Sequence, residues 1–157
     1  MMPSRTLPSS IRKLDPGAFA LVMATGIVSI DAGQHGMPVL ARALLFVLNA
    51  VAFVLLLALN ALRLVHARRE VLDDFTNPAR GAGFLTFVAA SGVLASQCVL
   101  VVPLPHWAVA LTVLGAVGWG CLSYLLLLAV ITGQRKPGFR RSINGGWLVA
   151  VVSTQAL

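Results

Sequence analysis

The chain has 157 residues, of which 58% are hydrophobic and only 11% charged, and its mean hydropathy is +0.88. Soluble domains carry about 25% charged residues, so this composition excludes a water-soluble fold and makes lipid the solvent. The net charge of +7 and pI near 11.1 would suit a nucleic-acid binder, but the basic residues sit between apolar runs, which argues against nucleic acid as a partner.

Residues 1–14 read as a cytoplasmic tail carrying Arg5, Arg12 and Lys13. Asp15-Pro16 then opens the first apolar run, 16–33, as an N-cap followed by proline at the first helical position. Its polar interruptions suit a retained helix better than a cleaved signal sequence. The second run, 38–65, places Arg42, Asn49 and Asn60 on one line, with Arg63 nearby. Asn77-Pro78 repeats the capped start ahead of the third run, 79–102. The fourth, 106–132, is rich in glycine (Gly115, Gly118, Gly120), and Cys121 within it, like Cys98 in the third, reads as a small buried hydrophobe. Trp119 reads as a packing residue, and Trp107 and Trp147 as interfacial anchors. A fifth run opens at Ser142 and reaches Leu157, shorter than the roughly 20 residues a spanning helix needs. The expectation is a transmembrane domain over 15–157 that forms the N-terminal portion of a longer protein, or a truncated gene product.

The basic residues alternate in position. Arg5, Arg12 and Lys13, then Arg63, Arg68, Arg69 and Arg80, then Arg135, Lys136, Arg140 and Arg141 all fall on one side of the expected topology, leaving Arg42 alone on the other. The positive-inside rule places the N-terminus in the cytoplasm. The expected location is a bacterial inner membrane, crossed several times, with anionic lipid drawn to the basic loops.

A short string recurs. Val22-Met23-Ala24-Thr25-Gly26-Ile27-Val28 returns 66 residues later as Val88-Ala89-Ala90-Ser91-Gly92-Val93-Leu94, and more loosely as Val151-Val152-Ser153-Thr154-Gln155-Ala156-Leu157 a further 63 residues on. With the capped helix starts, this describes a helical hairpin of about 65 residues repeated in one orientation, the arrangement of parallel repeats about an axis along the membrane normal. Helical periodicity aligns Ala18, Val22, Thr25 and Ser29 in the first run, Gly83, Thr86, Ala90 and Gln97 in the third, and Asn144, Leu148, Val151 and Gln155 in the fifth. Two readings stay open for each stripe. The hydroxyls bond carbonyls of their own helix and the small residues pack, or the stripes face a shared polar path. Gly26 and Gly92 are candidate kinks, which are tolerated where they line a cavity.

No acid lies in the middle of any run. A proton relay or cation site would call for one, whereas hydroxyls and amides with basic residues at the mouth suit small anions. No residue set supports catalysis: Ser153 and Thr154 lack a paired His and Asp, and His35, His66 and His106 stand singly near span ends. Neither a metal nor a cofactor is implied.

Phe19-x-x-Val22-Met23-Ala24-Thr25-Gly26-Ile27, the segment Asp74-Phe75-x-Asn77-Pro78 leading to Gly83-Phe84-Leu85-Thr86-Phe87-Val88-Ala89, and Asn144-Gly145-Gly146-Trp147-Leu148 with Val152-Ser153-Thr154-Gln155 resemble the tellurite-resistance/dicarboxylate transporter family. That family includes plant slow anion channels, yeast sulfite exporters and fungal malate permeases. The resemblance implies an all-α fold of ten helices in five hairpins around a central pore, odd helices inside, assembled as a homotrimer. About four and a half helices are present here, and the ninth helix, which carries the aromatic gate of the channel members, is not among them. Where the family often has glycine, this chain has Ala24. Carried over by position, Thr25, Gly26, Ser29, Thr86, Ser91, Gly92, Ser153, Thr154 and Gln155 would lie along the substrate pathway. The expected function is therefore passage of small anions (C4-dicarboxylate, sulfite, halide or tellurite-related). The alternative is a non-conducting membrane module that docks partners through its basic loops.

Overall fold

The computed structural model describes residues 14–132 and 148–155. A four-residue 3-10 turn, Pro16–Phe19, leads into α1 (Ala20–Gln34), which is followed by α2 (Val39–His66), α3 (Arg68–Thr76) and α4 (Pro78–Gly81). A second 3-10 turn, Ala82–Leu85, leads into α5 (Thr86–Leu100), then α6 (Pro105–Thr132) and α7 (Leu148–Gln155). Among the described residues every regular element is helical, and four helices are long and apolar enough to cross a membrane. The fold is all-α and transmembrane. Most of the N-terminal tail, the last basic loop and the expected start of the fifth helix near residue 142 lie outside the described residues.

The hairpin repeat is geometric as well as sequential. Both 3-10 turns, both 15-residue helices α1 and α5, and both 28-residue helices α2 and α6 begin and end 66 residues apart. The helix starts explain the first part of this regularity. Asp15 caps its turn by accepting from the Gly17 amide at 2.8 Å, with Pro16 behind it. Pro78 starts α4, and the Asn77 carbonyl accepts from the Arg80 and Gly81 amides. The 3-10 turns that follow these starts touch each other: a Cβ on Gly83 would lie 3.0 Å from the Gly17 nitrogen, so glycine lets the backbones meet. The hairpin turn after α1 bends at Gly36, whose φ of +73° favours glycine.

α5 is the hub, packing against α1, α6, α7 and α2. Its span is 61% buried, against 33% for the first span and 11% for each of the two long helices, which therefore face lipid. Phe19, Val22 and Phe53 join Ala90 and Leu94 in the main core. The Phe19, Phe53 and Phe87 rings pack there with centroids 5.4–6.0 Å apart. Leu85, Val88 and Leu126 hold α6 at one end, and Ala95, Cys98 and Ala108 hold it at the other.

α1 and α5 run as continuous helix through Gly26 and Gly92, each preceded by a 3-10 turn. Three expectations change. The stretch between the second and third spans is largely helical, because the apolar residues Val71, Leu72 and Phe75 of α3 share one face. Cys121 is exposed on the outside of α6 rather than buried. Trp119 is 37% exposed on the same outer helix and is not a buried packing residue.

Candidate functional site

The recurring strings lie on α1, α5 and α7, and α5 contacts both of the others. Gly26, Ser29, Thr86, Ser91, Gly92 and Ser153 are buried, Thr25 is half-buried, and Thr154 and Gln155 are exposed. The hydroxyls of Ser29, Thr86, Ser91 and Thr154 donate to backbone carbonyls. Thr86 Oγ1 reaches the Gly83 carbonyl at 2.6 Å, with that of Pro16 at 3.3 Å. Ser91 donates to Val88 at 2.7 Å, Thr154 to Val151 at 2.6 Å, and Ser96 to Gly92 at 3.1 Å. These are back-bonds within a helix or its first turn, save the one to Pro16, which ties the second 3-10 turn to the first. Ser29 instead donates across the hairpin to the Arg42 carbonyl at 3.3 Å.

The strongest polar feature joins residues that lie on separate stripes in the sequence. Asn49 Nδ2 of α2 donates to Gln97 Oε1 of α5 at 2.6 Å, with both side chains fully buried. Gly26 of α1 makes this possible. A Cβ there would come within 2.4 Å of Val93 Cγ1, 3.0 Å of Asn49 Nδ2 and 3.2 Å of Gln97 Oε1. The glycine of the recurring string is thus the window through which three helices meet at an amide pair. Asn49 Oδ1 and Gln97 Nε2 have no hydrogen-bond partner among the described residues.

A single arginine and a charged cluster flank this pair. Toward the turn after α1, Arg42 Nη2 donates to the Leu100 carbonyl at 3.1 Å. The α5 carboxyl end attracts the cation. The guanidinium lies over Gly33, where a Cβ would be 2.6 Å from its Cζ. At the opposite end, here the basic end, Asp74 of α3 is held between two arginines. It pairs with Arg63, the last buried residue of α2, and with Arg80 of α4 at 2.5 Å. Arg63 is 1% exposed and the Asp74 side chain 8%. Two guanidiniums thus share the Asp74 carboxylate.

Sequence reasoning placed Asn49 and Gln97 on faces but did not pair them, and it assigned no role to the Arg63–Asp74–Arg80 cluster. The available signal was an aspartate in a short apolar-faced segment just after a span that ends in arginine.

The chain matches no curated protein and no solved structure. Residues 13–157, almost the whole chain and all the described helices, match the model of one family. Together with the four apolar helices, this makes the chain a multi-pass membrane protein that belongs to the voltage-dependent anion channel family.

Proposed function

We propose that this protein moves small anions (C4-dicarboxylate, sulfite, a halide or a tellurite-related oxyanion) across a bacterial inner membrane. Its N-terminus would be cytoplasmic, and α1, α5 and α7 would contribute to the wall of the path. The pathway residues would be Thr25, Gly26, Ser29, Thr86, Ser91, Gly92, Ser153, Thr154 and Gln155, and the working assembly a homotrimer with one path per subunit. The observation that carries this reading is electrostatic. Among the described residues the buried polar side chains are hydroxyls, amides, Arg63 and one acid, and that acid, Asp74, is shared by two guanidiniums. Among the described residues of α1, α5 and α7 the buried polar side chains are hydroxyls and the Gln97 amide, dipoles without the acid that a cation path calls for.

The test is reconstitution of the full-length protein into liposomes with chloride, sulfite or malate gradients. Anion flux should exceed cation flux, and Thr25→Ala with Ser91→Ala should change its rate or selectivity several-fold at equal protein content. Cation-selective flux, or no flux, overturns the proposal. Indifference to the double substitution removes those two residues from the path.

A further inference from the structure

At the basic end a cleft opens between the two long outer helices. It has a volume of about 650 Å³, within the range of sites that hold small ligands. Its walls are Leu57 and Leu64 of α2, Val71 and Phe75 of α3, and Leu122 and Leu125 of α6. Among the described residues its one polar wall side chain is Asn60, whose amide donates to the Leu56 carbonyl of its own helix at 2.9 Å. Leu57, Ala61, Leu64 and Leu125 are all exposed, so the cleft faces the bilayer and not the interior of the bundle. Nothing polar has reason to enter it.

The rim has the opposite character. Where α2 gives way to α3, a second hollow of about 510 Å³ is lined by Val65, His66, Ala67, Arg68, Arg69 and Glu70. Arg68 and Arg69 are exposed there. This corner of the molecule holds four arginines (Arg63, Arg68, Arg69, Arg80) against three acids (Glu70, Asp73, Asp74), and Asp74 is committed to Arg63 and Arg80. α3 itself has an apolar side toward the cleft and a charged side away from it, the build of a helix that lies in a membrane interface. An apolar slot whose α3 wall, from Val71 onward, is preceded in the same helix by two exposed arginines is complementary to a molecule that joins an acyl chain to an anion.

We propose that this corner is a binding site for an anionic phospholipid, one acyl chain lying in the cleft between α2, α3 and α6 and the phosphate meeting Arg68 and Arg69. A phospholipid brings the acyl chain and the anion in one molecule, whereas a segment of protein would need an acid placed beside its apolar stretch. This site does not depend on the transport reading, and its failure would leave that reading standing.

The test uses the purified full chain in equal mixtures of dioleoyl phosphatidylglycerol and dioleoyl phosphatidylcholine, with retained lipid counted by native mass spectrometry. The wild type should retain the glycerol lipid about 30-fold over the choline lipid, the scale expected for two arginines near a net negative headgroup. Arg68→Gln with Arg69→Gln should bring that preference below about 2-fold and leave choline-lipid retention as it was. Ala61→Trp places a large side chain in the cleft from an exposed position and should lower retention of both lipids, with Ala61→Phe as a milder second filling. Helicity and melting temperature check that each variant is folded. Equal retention of both lipids by the wild type, or an unchanged count in both filled variants, overturns the proposal. A change in oligomer mass on filling, with lipid unchanged, assigns the cleft to a second copy instead and overturns it as well.

Discussion

Helices α2 and α6 stand in equivalent places, run for 28 residues each and give most of their surface to lipid, yet they are fastened to the bundle differently. α2 carries Arg42, Asn49, Asn60 and Arg63, where α6 has Ala108, Gly115, Leu126 and Ala129. Apolar length and turn residues therefore suffice to build the hairpin, and the polar side chains of α2 are additions to it. Three of them reach another element: Arg42 the end of α5, Asn49 the side chain of Gln97, and Arg63 Asp74 of α3. α6 is held by fit. Ala108 packs with Ala95 and Cys98, Leu126 with Leu85 and Val88, and Gly118 lies where a Cβ would meet Phe87 at 2.9 Å. In a bilayer, helix–helix and helix–lipid contacts are equally apolar, so close packing and hydrogen bonds carry association. This molecule adds polar contacts to packing on the first hairpin and holds α6 of the second by packing.

The two devices should fail differently. The largest effect is expected at the basic end, where Asp74→Asn removes the carboxylate that the buried Arg63 shares with Arg80. Breaking such a pair from one side costs about 3–5 kcal/mol, read as a shift in detergent-titrated unfolding of the purified protein. Arg63→Met with Asp74→Leu should recover most of that loss, because replacing both partners is often close to neutral. A loss below about 1 kcal/mol, the size of a surface pair, would place this contact outside the fastening.

Steric fastening comes next. Gly26→Ala drives a methyl into Val93 and the amide pair, and overpacking of this kind costs about 1–3 kcal/mol. The same measurement on Asn49→Leu should show about 1–2 kcal/mol, from leaving the Gln97 amide buried without its partner. Adding Gln97→Leu should recover part of it, with a coupling of about 0.6–1.7 kcal/mol across the double-mutant cycle. Additive single losses would mean that the 2.6 Å bond contributes no more than its two ends do separately. The smallest effect has the opposite sign. Gly120 has open space around it, so Gly120→Ala should stabilise α6 by up to about 1 kcal/mol. Any destabilisation there would mean that the outer face of α6 is itself a contact surface.

The fold class was legible because a long apolar run bounded by proline, or begun by Asp-Pro or Asn-Pro, has few alternatives in lipid. α3 was not, because nine residues with five charges look like a loop until the spacing of Val71, Leu72 and Phe75 is noticed. The site was legible only in part. Periodicity aligned Val22 with Ser29 and Thr86 with Gln97, but which stripe meets which helix is a tertiary matter. α1 and α5 are nearly uniform in hydrophobicity around their circumference, since lipid and core are both apolar, so no hydrophobic face points to the interior. Gly26 was legible as special, although its role as the opening beside Asn49 and Gln97 depends on residues that lie 23 and 71 positions further along the chain.

That opening also imposes an order of assembly. Asn49 is made before its partner, which lies 48 residues further on, so a chain entering the membrane as it is synthesised must lodge the first hairpin with a bare amide in the hydrocarbon. The second hairpin brings the only side chain seen to satisfy it among the described residues. Until then, the first hairpin holds an unmet hydrogen-bonding demand that a wrong neighbour could answer. The interval between the two helices is therefore the step at which a membrane chaperone, or a misplaced polar helix, would have most influence on whether this bundle forms.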